Sequence, residues 1–263
     1  MTMELACALH FAGVDYPKAV RLVADAGFDA FEVSPWLPRR LTDRDISKLR
    51  ILLKRHHLSF SGFTAFYPPE MILASPSPHA RTNAFLYTTR YVDVVHNLEG
   101  RTIVWGSPKS RRIPRGVSHE VGYRRLVDLL KRSGTFAAKR NVSIAIEPVN
   151  RFESSNIHTV KEALALAKSV DRKSVGIVYD SHHACFEETS FTKPIIQAGK
   201  RIVSVHVSDC NRRIPGSGHI DFKPIIDACR KVGYDGYVSL EAIFGRDIRR
   251  ELVTARKRLE ALI

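Results

Sequence analysis

Four residues in the second half of this chain have types that suit one metal-centred site: Glu147, Asp180, His206 and Glu241. Each lies at or beside the end of a short apolar run, in IAIEPVNRFE (144–153), VGIVYD (175–180), IVSVHV (202–207) and GYVSLE (236–241). An apolar run that ends in a carboxylate and is broken by Pro148 reads as a buried strand delivering an acid to a loop. Three carboxylates and one imidazole make a hard, oxygen-rich donor set. Such a set suits Mn²⁺, Mg²⁺ or Co²⁺ better than a structural zinc, which takes thiolates and more nitrogen. Taken singly, each residue has an ordinary alternative. Glu147 could pair with a core arginine, Asp180 could cap the following helix, His206 could be a hydrogen-bonded core histidine, and Glu241 could be a loop acid. Four metal-compatible groups on four consecutive strand ends point instead to one shared metal site.

Further polar residues lie just beyond these ends. Asp180-Ser181-His182-His183 places His183 three positions past an acid, where it could touch a substrate or cap a helix. After His206 comes SDCNRRIPGSGHIDF (208–222), a polar Gly/Pro-rich loop long enough to fold over a strand end. Arg212 in that loop could grip an oxygen or carboxylate, with Arg213 as its competitor. Asn150, Arg151 and Glu153 lie past Glu147; Glu153 could bind a hydroxyl or pair with Arg151.

The elements that must position these groups alternate. Strand-like runs occur at 5–9, 30–34, 59–64, 102–106, 142–147, 175–180, 202–207 and 236–241. Between them lie segments with helical apolar spacing and plausible starts. Thr42 precedes Ile46, Leu49, Leu52 and Leu53; Ser77-Pro78 reads as an N-cap with proline at the first helical position; Ser118 precedes Val121, Leu126, Leu129 and Leu130; Thr159 with Glu162 fits a capping box. Gly233 and Gly236 bracket a short loop into the last strand. The strand ends are about 25 to 42 residues apart, enough for one crossover each. Strict alternation predicts a parallel sheet, and eight units in 263 residues predict a closed (β/α)₈ TIM barrel spanning 1–263 as one domain. No GxGxxG follows the first strand, as an open dinucleotide-binding sheet would want. In a barrel, the ends of the fifth to eighth strands form one continuous arc at the mouth.

Bulk composition fits this picture. The chain is 44% hydrophobic and carries a formal net charge of +14. Such a balance raises nucleic acid, acidic membranes and anionic substrates as partners. The basic residues are spread over many helical segments, which reads as solvated outer helix faces. The four cysteines show no CxxC spacing and read as free thiols in a reducing compartment. With no signal-like start and no run of transmembrane length, the expected location is the cytoplasm, with no membrane association.

At these residues the chain resembles a known family, the sugar isomerases and epimerases built on xylose-isomerase-like barrels. It looks most like the branch of D-tagatose and D-allulose (psicose) 3-epimerases. The resemblance rests on EPVNRFE (Glu147–Glu153), DSHH (Asp180–His183), HVSDCNRRIPGSGHIDF (His206–Phe222) and SLEA around Glu241. It covers the C-terminal half; the N-terminal half matches in rhythm only. The resemblance implies that Glu147, Asp180, His206 and Glu241 bind one divalent metal per chain, Mn²⁺ first, with Co²⁺ or Mg²⁺ as alternatives. It implies that Glu147 and Glu241 are also the catalytic acid/base pair. It assigns Glu153, His183 and Arg212 to the O1 and O2 end of a sugar substrate, and implies a homodimer or homotetramer. The chain departs from the family in two places. The segment after the first strand, HFAGVDYPKA, offers Phe11 and Tyr16 but no tryptophan. GSPKSRR (106–112) puts Lys109, Arg111 and Arg112 near the mouth, which keeps a phosphorylated or acidic sugar open as substrate.

The expected chemistry is interconversion of C3 epimers of free ketoses. A metal chelated by the carbonyl and neighbouring hydroxyl stabilises an enediolate, and two glutamates serve the two faces of that plane. An aldose–ketose isomerase would use the same donors, moving a proton between C1 and C2. An apurinic endonuclease shares the barrel but needs further histidines at the third and fourth strand ends, which read GFTAF and VWGSP; His219 and Asp221 could supply only part of its later motif. No nucleic-acid partner is therefore expected. A non-catalytic sugar-binding barrel is the remaining alternative, and retention of both glutamates speaks against it.

Overall fold

The structure is a computed structural model that describes residues 3–36 and 40–263. Eight strands, β1 (Glu4–Ala8), β2 (Ala30–Val33), β3 (Ser59–Phe63), β4 (Thr102–Trp105), β5 (Ser143–Ile146), β6 (Val175–Asp180), β7 (Ile202–Val207) and β8 (Tyr237–Glu241), pair in sequence order into a closed barrel. Every pairing is parallel, and β1 closes the ring against β8. Strands buried on both faces need near-continuous apolar runs, which is why each was readable as one.

Around them run α1 (Tyr16–Asp25), α2 (Asp43–Arg55), α3 (Pro78–Asn97), α4 (His119–Ala138), α5 (Val160–Val170), α6 (Ser181–Glu187), α7 (Lys193–Ala198), α8 (Phe222–Lys231) and α9 (Ile248–Glu260). Local sequence sets their starts. Thr42 and Thr159 form capping boxes with Asp45 and Glu162, and Ser77 caps α3 with Pro78 in its first turn. Each helix turns one apolar stripe to the sheet: Ala19, Val20 and Val23 on α1, Leu252, Ala255 and Leu259 on α9. The crossover after β6 is split into two helices, α6 and α7.

Val104, Ala145 and Val178 form a small buried cluster apart from the main core. By the two-residue period of a strand, Ala145 shares a face with Glu147 and Val178 with Asp180. The floor beneath those carboxylates is therefore apolar. Among the described residues, no helix is long and apolar enough to cross a membrane.

Candidate active site

Glu147, Asp180, His206 and Glu241 are all buried, and one donor atom from each lies within 4.8 Å of the others. Register explains the meeting: Asp180 pairs with His206 across β6 and β7, and Glu241 ends the neighbouring strand. His206 Nδ1 stands between the two glutamates, 3.5 Å from Glu147 Oε1 and 3.3 Å from Glu241 Oε2. Three carboxylates held in a buried cluster need compensating positive charge. Glu147 Oε1 has no hydrogen-bond partner among the described residues although it is buried. The set fits a divalent cation, with oxygen donors in the majority and a single imidazole.

The other faces of these groups are fixed by the protein. Asp180 fulfils its ordinary role as well, since Oδ1 caps α6 by accepting from the N–H groups of His182 (2.7 Å) and His183 (3.2 Å). Its other oxygen, Oδ2, lies 3.4 Å from Arg212 Nη1. Glu147 follows β5, and its backbone carbonyl accepts from Arg111 Nη1 at 2.6 Å. Arg111 corrects the expectation of a cation at the mouth: it is wholly buried. Its other donors reach Ser154 Oγ and the carbonyls of Asn156 and Ile157, so it clamps the loop that carries Glu147. Burial lowers its pKa to about 10. Arg112 is exposed, and Lys109 alone of the three lines the cavity.

Gly106, at the end of β4, makes room for Glu147. A Cβ there would lie 1.8 Å from Glu147 Oε2. Glu32, inside the apolar run of β2, was not singled out by its sequence, yet it reaches across the barrel to His206 Nε2 at 3.1 Å. Ala8 sits in register with both Glu32 and Glu241, and its small side chain leaves the path open. With a metal bound, the Glu32 carboxylate would hold the ring proton at Nε2 and leave Nδ1 to ligate the ion. A lone glutamate within an otherwise buried strand was the available signal.

The remaining expected residues converge on the same cavity, which has a volume of about 260 Å³. His183 Nδ1 is 2.9 Å from Asn150 Nδ2, and its Nε2 is 3.2 Å from Arg212 Nη1. Glu153 Oε1 accepts from Asn150 at 2.8 Å, while Arg151 pairs with Glu187 at 2.7 Å, so Glu153 is not tied up by Arg151. The His182 contact, with help from His183, Asn150 and Arg212, lowers the Glu153 pKa to about 2 against the opposing effect of burial. Arg212 donates to Glu241 Oε2 at 2.6 Å, and Arg213 turns away to Glu251.

Arg212 sits at a φ of 59°, a left-handed conformation rare for a bulky residue. It is held there by its N–H to the Asp209 carbonyl and its own carbonyl to the N–H of Ile243. Asp209, also missed, organises this loop. Its carboxylate accepts from the backbone N–H groups of Cys210, Gly216 and Ile220. Burial alone would raise its pKa; those bonds, with one from Gly218, bring it below the usual carboxylate range.

The first four strands supply the opposite wall. Trp36, from the loop after β2, donates its indole N–H to the Ala65 carbonyl and lines the cavity with Phe11 and Tyr67. A tryptophan is thus present, carried by the second strand rather than the first. His10 and Thr64 approach Glu241 Oε1 at 3.5 and 3.1 Å. His219 is exposed and Asp221 caps α8, so neither joins the acid cluster.

Charge is divided unevenly between the two glutamates. Burial raises the Glu147 pKa to about 7, with Glu241 and Asp180 adding to the rise and His206 opposing it. Burial acts on Glu241 in the same sense, but Arg212 and His206 outweigh it and hold that carboxyl well below its ordinary value. Burial and the neighbouring acids thus push Glu147 up while Arg212 and His206 pull Glu241 down, so the two carboxyls differ in their hold on a proton.

The family model for the xylose isomerase-like TIM barrel matches residues 20–261. The chain belongs to the xylose isomerase-like TIM barrel family. Within it, the chain is 28% identical over 235 residues to a D-psicose 3-epimerase of Ruminiclostridium cellulolyticum, covering 86% of this chain and 78% of that protein. It is 26% identical to a 3-dehydro-D-guloside 4-epimerase of Escherichia coli, over 84% of each chain. The fold matches a crystal structure of D-psicose 3-epimerase with D-tagatose from Clostridium cellulolyticum H10, with a TM-score of 0.86, 23% identity and 99% of both chains covered.

Proposed function

We propose that this chain is a divalent-metal-dependent ketose 3-epimerase that interconverts C3 epimers of free ketoses. The observation that carries the reading is the pair of buried glutamates flanking His206 Nδ1, Glu147 Oε1 at 3.5 Å and Glu241 Oε2 at 3.3 Å. Inversion next to a carbonyl needs a base on one face of the carbon and an acid on the other. The relatives named as 3-epimerases support the same reaction class, and the one named as a 4-epimerase keeps the position of attack as the point to test.

Glu147, Asp180, His206 and Glu241 would hold the ion, Mn²⁺ first, with Co²⁺ or Mg²⁺ as alternatives. Lewis-acid polarisation of the ketose carbonyl is the chemistry that such an ion supplies when bound. Glu241, kept ionised by Arg212, takes the C3 proton from one epimer. Glu147 is the partner acid/base group for the opposite face, and the two exchange roles in reverse. Glu153, His183 and Arg212 hold the O1 and O2 end of the sugar, and the Trp36 and Tyr67 side packs its carbon skeleton. The exposed rings of Phe152 and Phe186, packed edge to face with centroids 5.8 Å apart, support assembly into a dimer or tetramer. Lys109, which lines the cavity and has no ion pair among the described residues, favours a phosphorylated or acidic sugar.

The test is to strip the protein of metal, restore Mn²⁺, Co²⁺ or Mg²⁺, and follow deuterium uptake from solvent into free ketoses and ketose phosphates by NMR. Exchange at C3 of a free ketose is expected. Exchange confined to C1 or C2 would replace the reading with an aldose–ketose isomerase, and preference for a phosphate ester would reassign the substrate.

A further inference from the structure

β1 ends at Ala8, and Leu9 leaves the extended conformation at φ −105° and ψ 21°. The chain then makes a single 3-10 turn, His10–Ala12, closed by Gly13 at a φ of 64°. This turn carries the His10 side chain back over the barrel mouth. The side chain is fully buried, with its ring 3.9 Å from that of Phe11. His10 Nε2 comes to 3.5 Å from Glu241 Oε1, the oxygen that also accepts from Thr64. Arg212 and His206 occupy the other oxygen, Oε2.

Both nitrogens of His10 are buried without a hydrogen-bond partner among the described residues. An imidazole always offers two polar sites, and leaving both unmet in a buried position is costly. In a folded core such a ring is tied to a carbonyl or a hydroxyl. Here it forms part of the cavity wall, beside one of the two glutamates and on the opposite side from His183. A ligand in that cavity is the partner within reach.

We propose that His10 is a substrate-contacting residue that hydrogen-bonds one hydroxyl of the sugar on the Glu241 side of the site. This rests on the proton-transfer reading above and deepens it. Glu153, His183 and Arg212 grip one end of the ketose, and His10 supplies a second anchor from the other half of the barrel. Two anchors on opposite walls fix the rotation of the sugar about its long axis. That rotation determines which carbon-bound hydrogen faces Glu241. His10 is therefore a specificity determinant, since a sugar with the contacted hydroxyl inverted or missing loses the second anchor.

The experiment compares wild type, His10→Phe and His10→Gln, each loaded with Mn²⁺, in deuterium exchange on a free ketose and on its singly deoxygenated analogues. Metal content by elemental analysis and the thermal midpoint are recorded for each protein. His10→Phe keeps the ring volume and removes both nitrogens. It is expected to lower kcat/KM about 10- to 100-fold, with metal content unchanged. His10→Gln should recover part of the loss. For the one deoxyketose that lacks the contacted hydroxyl, wild type and His10→Phe should react within about twofold of each other. Equal rates for wild type and His10→Phe on every ketose would overturn the inference. So would a loss of the same size on every deoxyketose, or a loss that tracks metal content. A wild-type protein that exchanges no carbon-bound hydrogen in any ketose overturns the epimerase reading and this inference together; the other failures leave the epimerase reading standing.

Discussion

Strands β5 to β8 lead to Glu147, Asp180, His206 and Glu241, whereas β1 to β4 lead to His10, Ser34, Thr64 and Gly106. The first set is charged, and its members act on one another. The second set is small or neutral, and it works by leaving space, as Gly106 does, or by touching the charged set from outside, as Thr64 does. The aromatic wall of Phe11, Trp36 and Tyr67 also belongs to the first four strands. The barrel thus separates two tasks. One arc holds donors whose types are dictated by the chemistry, and the facing arc sets the room and the orientation available to a substrate. Substitutions on the two arcs should accordingly fail in different ways.

The largest effect is expected in the charged arc. Glu147→Gln or Glu241→Gln should lower C3 exchange by about 10²- to 10⁴-fold, measured by NMR in deuterated buffer. Full exchange in either variant would end the two-glutamate scheme.

Gly106→Ala tests whether the neutral arc matters through space alone. Its Cβ would displace the Glu147 carboxylate, and a shift on the order of 1 Å should cost about 10²-fold in exchange rate. Wild-type exchange in this variant would show that the close approach has no functional weight.

Glu32→Gln removes the negative charge that β2 places against His206 Nε2 on the charged arc. Metal affinity should fall by about 10- to 100-fold in a chelator competition, with the fold unchanged by circular dichroism.

Acid should weaken metal binding as well. Glu147, raised to about 7, must lose its proton to become a donor. Protons compete with the ion below that value, so affinity should drop by up to about tenfold per pH unit as pH falls through 7. Calorimetry in buffers of different ionisation enthalpy should detect proton release at pH 7 and little at pH 9.

Trp36→Ala should act on the substrate alone, raising KM by about 3- to 10-fold while metal affinity stays at the wild-type value. A loss of metal binding in that variant would blur the division between the arcs.

The same division explains what could be read from sequence. The eight strands are legible because each is buried on both faces, and their observed limits differ from the apolar runs by at most one residue at either end. The charged arc is legible because a donor at the close of an apolar run has few structural uses. The neutral arc is not. Gly106 resembles any strand-end glycine until the carboxylate beside it is seen. His10 lies in a short turn whose direction no local pattern specifies. Trp36 is a tryptophan of the kind absent after the first strand, but it follows a different strand, so linear comparison overlooks it. Glu32 is the instructive omission: an acid inside AFEVS already implied a buried partner, and His206 was the natural candidate. Arg111 erred in the other direction. Its neighbours Lys109 and Arg112 gave it the look of a surface cluster, while its guanidinium is a wholly buried clamp.

The loop that bears Arg212 is tied together chiefly from within. Asp209 gathers backbone N–H groups of the loop, Asn211 reaches the Ser217 carbonyl, and the links to the rest of the protein include the Ser181–Ser208 pair, the Arg212 carbonyl with Ile243, and Arg258 with the Pro215 carbonyl. A segment with its own scaffold behaves as a cassette. Moved between related barrels together with those docking points, residues 208–222 should carry the guanidinium to its place intact, which makes this loop a natural unit of exchange for recombining substrate grips within the family.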